Sequence, residues 1–562
     1  MIQFSKFKIL FLLILFFSIF GFAKNSLAAT YYADNTLSAN CTGNYSITNR
    51  TCTGSDGNAY TTAQSAVDAA NNSGDIVYLR AGLYNEVIQT AASGTSGNHI
   101  TISAYSTEIP YLNALRVSNN YLTINGLKLG AAQYLGAYTV LISAGVHDVL
   151  LSNGIVVNPQ NTHGTGFYFT SDGSPDGNIY NITISGWDIS NIIDNIIFQV
   201  VGYNNLITEN TIHNTDASDL LYCFGHDNTF SYNYIHDTVH SAGLNNHDDL
   251  FQTFGQTGLN SYNNTFANNY IYNWGGSFCQ MVQQGNRNIR NWTIKNNIFN
   301  GVVHGGSFSI ENSSFYNNTF INVSTDEVTP GAVYFGYPFT GSQMPTITSI
   351  TAGSLTTVYV SSGHGLYNFA GYQVYLMNTG MASLPDGWYA YTYVDANHVM
   401  IAVDTTGQTY GGSGGIFSSI SLGSDVRNNI FVGVSDPARA TYGWYSFAAG
   451  AIISASTFDY NYVASNAAHS YSAKTNFQTG DLEAHGVNGG NPYFVNDGGT
   501  AASDYALTAL STILIGKGAN LSSSFTNDYS NAVRSTWDIG AYEYVGASDT
   551  TPPAAPSGLS VS

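Results

Sequence analysis

The chain has 562 residues and a formal net charge of −20, with 15 Lys and Arg against 35 Asp and Glu. So acidic a surface repels nucleic acid and anionic membranes, which excludes both as partners. Charged residues amount to only 9% while Tyr numbers 41, and Gly, Asn, Ser and Thr supply the remaining polarity, a balance suited to an extracellular β-protein.

The apolar run Ile9 to Phe22 follows Lys6 and Lys8 and precedes the small-residue site Ser26-Leu27-Ala28. This pattern predicts a signal peptide over 1–28, too short for a membrane span, and therefore a secreted or cell-surface protein. Cys41 and Cys52 are spaced to close a small N-terminal loop, whereas Cys223 and Cys279 fall within strand patterns as buried thiols. No zinc-like spacing occurs. Thr61-Thr62-Ala63-Gln64 offers a capping box before Ala66, Val67, Ala69 and Ala70, which predicts a short helix covering the open end of the strands beyond it.

From Gly74 onward the chain alternates apolar and polar residues and repeats the phrase Asn-x-(Ile/Phe), at Asn210, Asn233, Asn269, Asn296, Asn318 and Asn428. The first five are 23, 36, 27 and 22 residues apart. Such a period without intervening helix is the signature of a β-solenoid, whose coils cannot bury their apolar faces singly. Coils stack about 4.8 Å apart, so equivalent Asn side chains form ladders and the longer intervals become loops. The expected fold is an all-β, right-handed parallel β-helix with an N-terminal capping helix.

Residues 29–342 are read as its first part and 420–546 as its C-terminal part. Between them, 343–419 lacks the Asn phrase and carries short strand patterns with Gly, Pro and Asp turns, predicting an inserted small β-domain. It is read as a spacer, although Tyr389, Tyr391 and Tyr393 are candidates for a sugar platform. Its Ser362-Gly363-His364-Gly365 resembles a turn of small β-barrels in phage and virion proteins. The Pro-rich 547–562 reads as a linker to a further module and a possible surface attachment, resembling the approach to a fibronectin-type-III domain.

The run Gly74-Asp75-Ile76-Val77-Tyr78 to Gly82-Leu83-Tyr84, and the ending Trp537-Asp538-Ile539-Gly540-Ala541-Tyr542-Glu543-Tyr544, resemble the pectin-lyase-like superfamily of right-handed parallel β-helices. That resemblance implies the fold and leaves the reaction open, because the group contains lyases, hydrolases, epimerases, esterases, tailspikes and adhesins.

Aligning Asp219 to Gly225 with Asp249 to Gly255 places Asp219 beneath Asp249 and Ser218 beneath Asp248, one coil apart. Stacked carboxylates disfavour double ionisation, so one holds its proton beside an ionised partner, the pair that glycoside hydrolysis needs. The catalytic candidates are Asp248, Asp249, Asp219, Asp216 and His247, with His240 nearby. Substrate-binding candidates are Tyr222, Gln252, Gln280, Arg290 and His304. Asp219 and Asp249 are also a candidate Ca2+ pair. The order Asn214-Thr215-Asp216, Asp248-Asp249, His304-Gly305 resembles the polygalacturonase family, which implies acid and base roles for those Asp residues. Ala217 and Val303 depart from the family pattern, and its Arg-x-Lys clamp is missing.

No Lys or Arg occurs from Leu129 to Asn286, which weighs against a polyuronate lyase needing a cationic group for the substrate carboxylate. The leading expectation is a polysaccharide hydrolase requiring no cofactor. Its alternatives are a calcium-assisted polysaccharide lyase and a non-catalytic glycan-binding surface protein. His213 and His236 are read as a structural ladder pair.

Overall fold

The computed structural model describes residues 28–130, 137–157, 165–241, 244, 248–254, 259–282, 288–304, 306–309, 311–323, 332–335, 346–361, 366, 373–417, 423–433, 456–467, 470–473 and 483–546. The expected signal peptide and C-terminal linker lie outside them. The described chain forms the anticipated parallel β-helix, a 39-stranded sheet in which each coil pairs with the next. The coil Leu206–Thr208, Thr211–His213 and Asp219–His226 lies beneath Thr229–Ser231, Tyr234–His236 and Asp249–Phe254, with Ile207 under Phe230 and Ile212 under Ile235.

Alternation turns one residue in two inward, so identical side-chain types stack through the interior. Phe230 lies on Phe266 at 5.2 Å, and Phe299 on Phe320 at 4.5 Å. Each such buried ring contributes about 1.5–3 kcal/mol of burial free energy, available only when a neighbouring coil supplies the other surface.

The repeated asparagines form the predicted ladder. Each Oδ1 accepts the backbone N–H of its counterpart one coil below, through Asn210, Asn233, Asn269, Asn297, Asn318, Asn429 and Asn461, at 2.9–3.0 Å. Glu483 ends the series by accepting the Asn461 amide at 2.8 Å. The ladder member is the second Asn of Asn296-Asn297 and of Asn428-Asn429. The first adopts left-handed backbone, which Asn tolerates better than most residues.

Asn318 meets Asn429 directly, so the ladder passes over the intervening 110 residues as though they were absent. Within that interval a separate six-stranded antiparallel sheet surrounds its own core of Val358, Val374, Leu376, Val399 and Ile401. Tyr389 and Tyr391 pack against this core, which corrects their reading as an open sugar platform.

The helix forms at Ala63–Ala69, and its Ala63, Ala66 and Val67 join the core of the first coils. Its cap is Thr62 rather than Thr61, and the carboxylate comes from Glu86, which accepts the Ala63 and Gln64 amides at 3.0 and 2.9 Å. A long-range acid thus replaces the expected local Gln. Cys41 and Cys52 are disulfide-bonded, and Cys223 and Cys279 are buried free thiols, as anticipated.

Near the C-terminus the chain turns back along the outside of the coils. Amides of Asn268, Asn296, Asn317 and Asn428 donate to carbonyls of Asp528, Asn527, Asp538 and Ala519 at 2.8–2.9 Å. The Trp537 to Tyr544 motif secures this segment. Glu543 accepts the Thr536 and Asp538 amides, and buried Arg534 donates to the Gly540 and Ala541 carbonyls.

Candidate active site

The sheet containing Asp219–His226 and Asp249–Phe254 carries the acidic cluster. Tyr222 pairs with Gln252, and Gln252 with Gln280, so the alignment that stacked Asp219 under Asp249 is the register observed. The Asp249 amide donates to Asp219 Oδ1 at 2.9 Å. Tyr222 also hydrogen-bonds Asp219, and burial, then the Asp219 charge, raises the Tyr222 hydroxyl well above its ordinary value. It therefore stays protonated as a donor.

Burial alters what this pair can do. Asp219 is 0% exposed and Asp249 4%, so neither carboxylate is presented to a glycosidic oxygen as an open pair. The stack is observed, but its expected acid–base role loses its access.

An accessible group stands beside it. Asp216 pairs with Ile193 below and Val239 above, and its Oδ1 accepts the Ser241 amide at 2.8 Å, which holds the start of the loop between Tyr234–His236 and Asp249–Phe254. This places His240 Nδ1 2.8 Å from Asp248 Oδ1. Asp248 is buried, whereas the His240 side chain is 41% exposed. Asp248 Oδ2 has no hydrogen-bond partner among the described residues. Burial raises the Asp248 carboxyl above the ordinary range, the Asp219 charge adds to this, and His240 opposes it. Such an Asp–His contact through Nδ1 fixes the ring and leaves Nε2 unengaged by Asp248, the arrangement of an oriented general base.

The backbone above Asp248 is built by Trp274-Gly275-Gly276-Ser277, where the strand Tyr270–Val282 shifts register. Trp274 Nε1 and the Ser277 amide both donate to the Asp248 carbonyl, at 3.2 and 2.8 Å. A Cβ at Gly276 would stand 1.9 Å from that carbonyl and 2.3 Å from Asp248 Cγ. Sequence reasoning missed this cradle, although a glycine pair inside a strand pattern signals close backbone approach.

The other candidates divide. Gln252 is buried beside Tyr222 in register. Gln280 and His304 fall on the same sheet by backbone pairing, His304 opposite Ser277 and two coils from Asp249. Their side chains and His247 lie outside the described residues. Arg290 requires correction. Its guanidinium lies 4.7 Å from the Tyr262 ring centroid, at the top of a stack formed by His147, Tyr180, Tyr203, His226 and Tyr262. Seven residues separate that line from the Asp219 position along one strand, roughly 23 Å, because strand spacing dominates over closeness in sequence.

The calcium reading meets hydrogen-bond donors where a cation needs oxygens. Asp219 is engaged by an amide and a hydroxyl, and no three His, Cys, Asp or Glu gather as metal ligands among the described residues. No described helix is long and apolar enough to cross a membrane. His213 and His236 stack at 5.2 Å, as expected.

No protein-family model and no curated protein matches the chain. Among solved structures, it is similar to a PL6 family polysaccharide lyase from Pseudopedobacter saltans, with 12% identity, TM-score 0.41, and 71% of this chain and 89% of that chain covered. It is also similar to pectate lyase Pel9A, with 14% identity, TM-score 0.39, and 92% and 97% covered. A third is a rhamnogalacturonan lyase, with 13% identity, TM-score 0.38, and 52% and 82% covered. Likenesses this distant assign no activity.

Proposed function

We propose that this chain is an extracellular polysaccharide-active enzyme in which His240, oriented by Asp248, moves the proton, acting by β-elimination at a uronate rather than by paired-carboxylate hydrolysis. The single supporting observation is the contrast in access between half-exposed His240 and the sealed Asp219–Asp249 pair. In elimination, Nε2 takes the proton α to the uronate carboxylate, the glycosidic C–O bond on the β-carbon breaks, and the departing oxygen is protonated by water, giving a new reducing end and an unsaturated uronate. The cation-free span from Leu129 to Asn286 leaves the substrate carboxylate to hydrogen-bond donors or to a supplied cation.

Hydrolysis is the second reading, in which the raised Asp248 carboxyl would pass its proton outward through exposed His240. The test is incubation of purified protein with neutral and acidic polysaccharides, with calcium or with chelator, following reducing ends and unsaturated-uronate absorbance together. Both signals, lost in His240→Ala, support elimination. Reducing ends without absorbance replace it by hydrolysis, and loss with chelator alone assigns the missing positive charge to calcium. Retention of a polysaccharide without either signal leaves a binding protein.

A further inference from the structure

The outer surface changes character where the returning C-terminal segment stops. Asn268, Asn296, Asn317 and Asn428 share one left-handed turn position in successive coils, and each donates to that segment. The next coil toward the N-terminus has Tyr232 at this position, also left-handed at φ 55°. Asn adopts this backbone readily, whereas a bulky side chain resists it. At the other end of the series Tyr460 does the same, but His485 covers its ring at 4.4 Å. Tyr232 remains 45% exposed, and Tyr234 beside it 37%.

Tyr234 is also the end of a stack. Its ring lies parallel to Tyr270 of the coil above, at 5.4 Å and 3°. The coils below offer Thr211 and then Asp188 in register, so no ring from below continues the series. His236 stacks on it at 4.2 Å and 22°, so Tyr234 presents its edge and hydroxyl while Tyr232 presents the open ring, and exposed Glu209 precedes the ladder Asn beneath. No aliphatic side chain is exposed from Tyr232 to Thr238, Val239 before His240 being the first that is, and no cation lies in this stretch of sequence. The exposed Tyr232 ring, bordered by hydroxyl, imidazole and carboxylate groups, suits a pyranose, whose C–H face lies on the ring while its hydroxyls reach acceptors.

We propose that Tyr232 and Tyr234 form an outer platform for a polysaccharide chain, continuous with His240 and Asp248 across the turn at Asp237. The continuity rests on the proposed function, whereas the platform itself stands on the exposed rings. The test is retention in native gels cast with polygalacturonate, alginate or a neutral glucan, comparing the wild type, Tyr232→Ala/Tyr234→Ala and His240→Ala. Equal thermal unfolding of the three checks folding.

The expected result is retention by at least one polysaccharide, weakened about tenfold in the double variant, with KM raised similarly if turnover occurs. His240→Ala retains binding and loses turnover. Tyrosine-dependent retention without turnover of any substrate keeps the platform and removes the elimination reading. Unchanged binding in the double variant, or a wild type retained by none of the three, overturns the platform. So does self-association abolished by the double variant in light scattering, which would make the patch a contact between copies.

Discussion

Two polar series run along the same solenoid and do opposite things. In the asparagine series each amide both accepts and donates, so Asn269 takes the Asn233 N–H and gives its own to the Phe230 carbonyl, leaving both satisfied and uncharged. In the acidic cluster, Asp219 accepts the Asp249 amide with a side chain that has nothing to donate when ionised, and Asp248 keeps one oxygen without a partner among the described residues. One geometry therefore yields a fully satisfied ladder from amides and, from carboxylates, a buried cluster with an acceptor left over.

The sharpest test of that difference is His240→Ala, expected to lower turnover by about 10²–10⁴-fold while leaving the unfolding midpoint nearly unchanged, as steady-state rates and denaturation would register. Asn269→Ala should do the reverse. It orphans a buried donor and a buried acceptor and should cost about 2–4 kcal/mol in chemical denaturation, with activity per folded molecule preserved. Gly276→Ala falls between them, since the new methyl must displace Asp248. About 1–3 kcal/mol of stability should be lost together with a rise in KM or fall in kcat, and an unchanged His240 titration by NMR would remove the cradle from the site.

The smallest effect is on pH dependence. The Asp248 carboxyl is raised, so the folded state binds its proton more tightly than the unfolded chain. Its stability contribution is full below the ordinary aspartate range and is lost as pH rises through the folded value, whereas activity should appear over that same rise as the carboxylate forms and orients His240. Asp248→Asn should flatten both profiles. Asp34 behaves oppositely. Burial favours its neutral form, but hydrogen bonds from Arg50, Thr36 and Tyr45 prevail and hold it far below its usual value. Its contribution is present above the ordinary aspartate range and lost only in strong acid.

Much of the fold was legible because a solenoid converts sequence period directly into spatial neighbours. The Asn spacing identified successive coils, and the match of Asp219 with Asp249 identified the register later seen through Tyr222 and Gln252. The capping helix was found but its capping partner was not, since Glu86 reaches it from the connection between Gly82–Leu83 and Val87–Gln89. Arg290 was grouped with the site by sequence proximity, yet the strand carries it to the far end beside Tyr262. His240 was visible only as a neighbour, because nothing periodic selects one loop residue over the next.

The sequence by itself determined the repeat, the inward apolar residues and the polar ladders, because these depend on alternation and on a period repeated coil after coil. Only the tertiary structure decided that His240 meets Asp248, that Gly276 must lack a side chain above it, and where the C-terminal segment leaves Tyr232 and Tyr234 uncovered. Those outcomes depend on the path of an aperiodic loop and on contacts such as Asn268 with Asp528, 260 residues apart, for which local pattern holds no record.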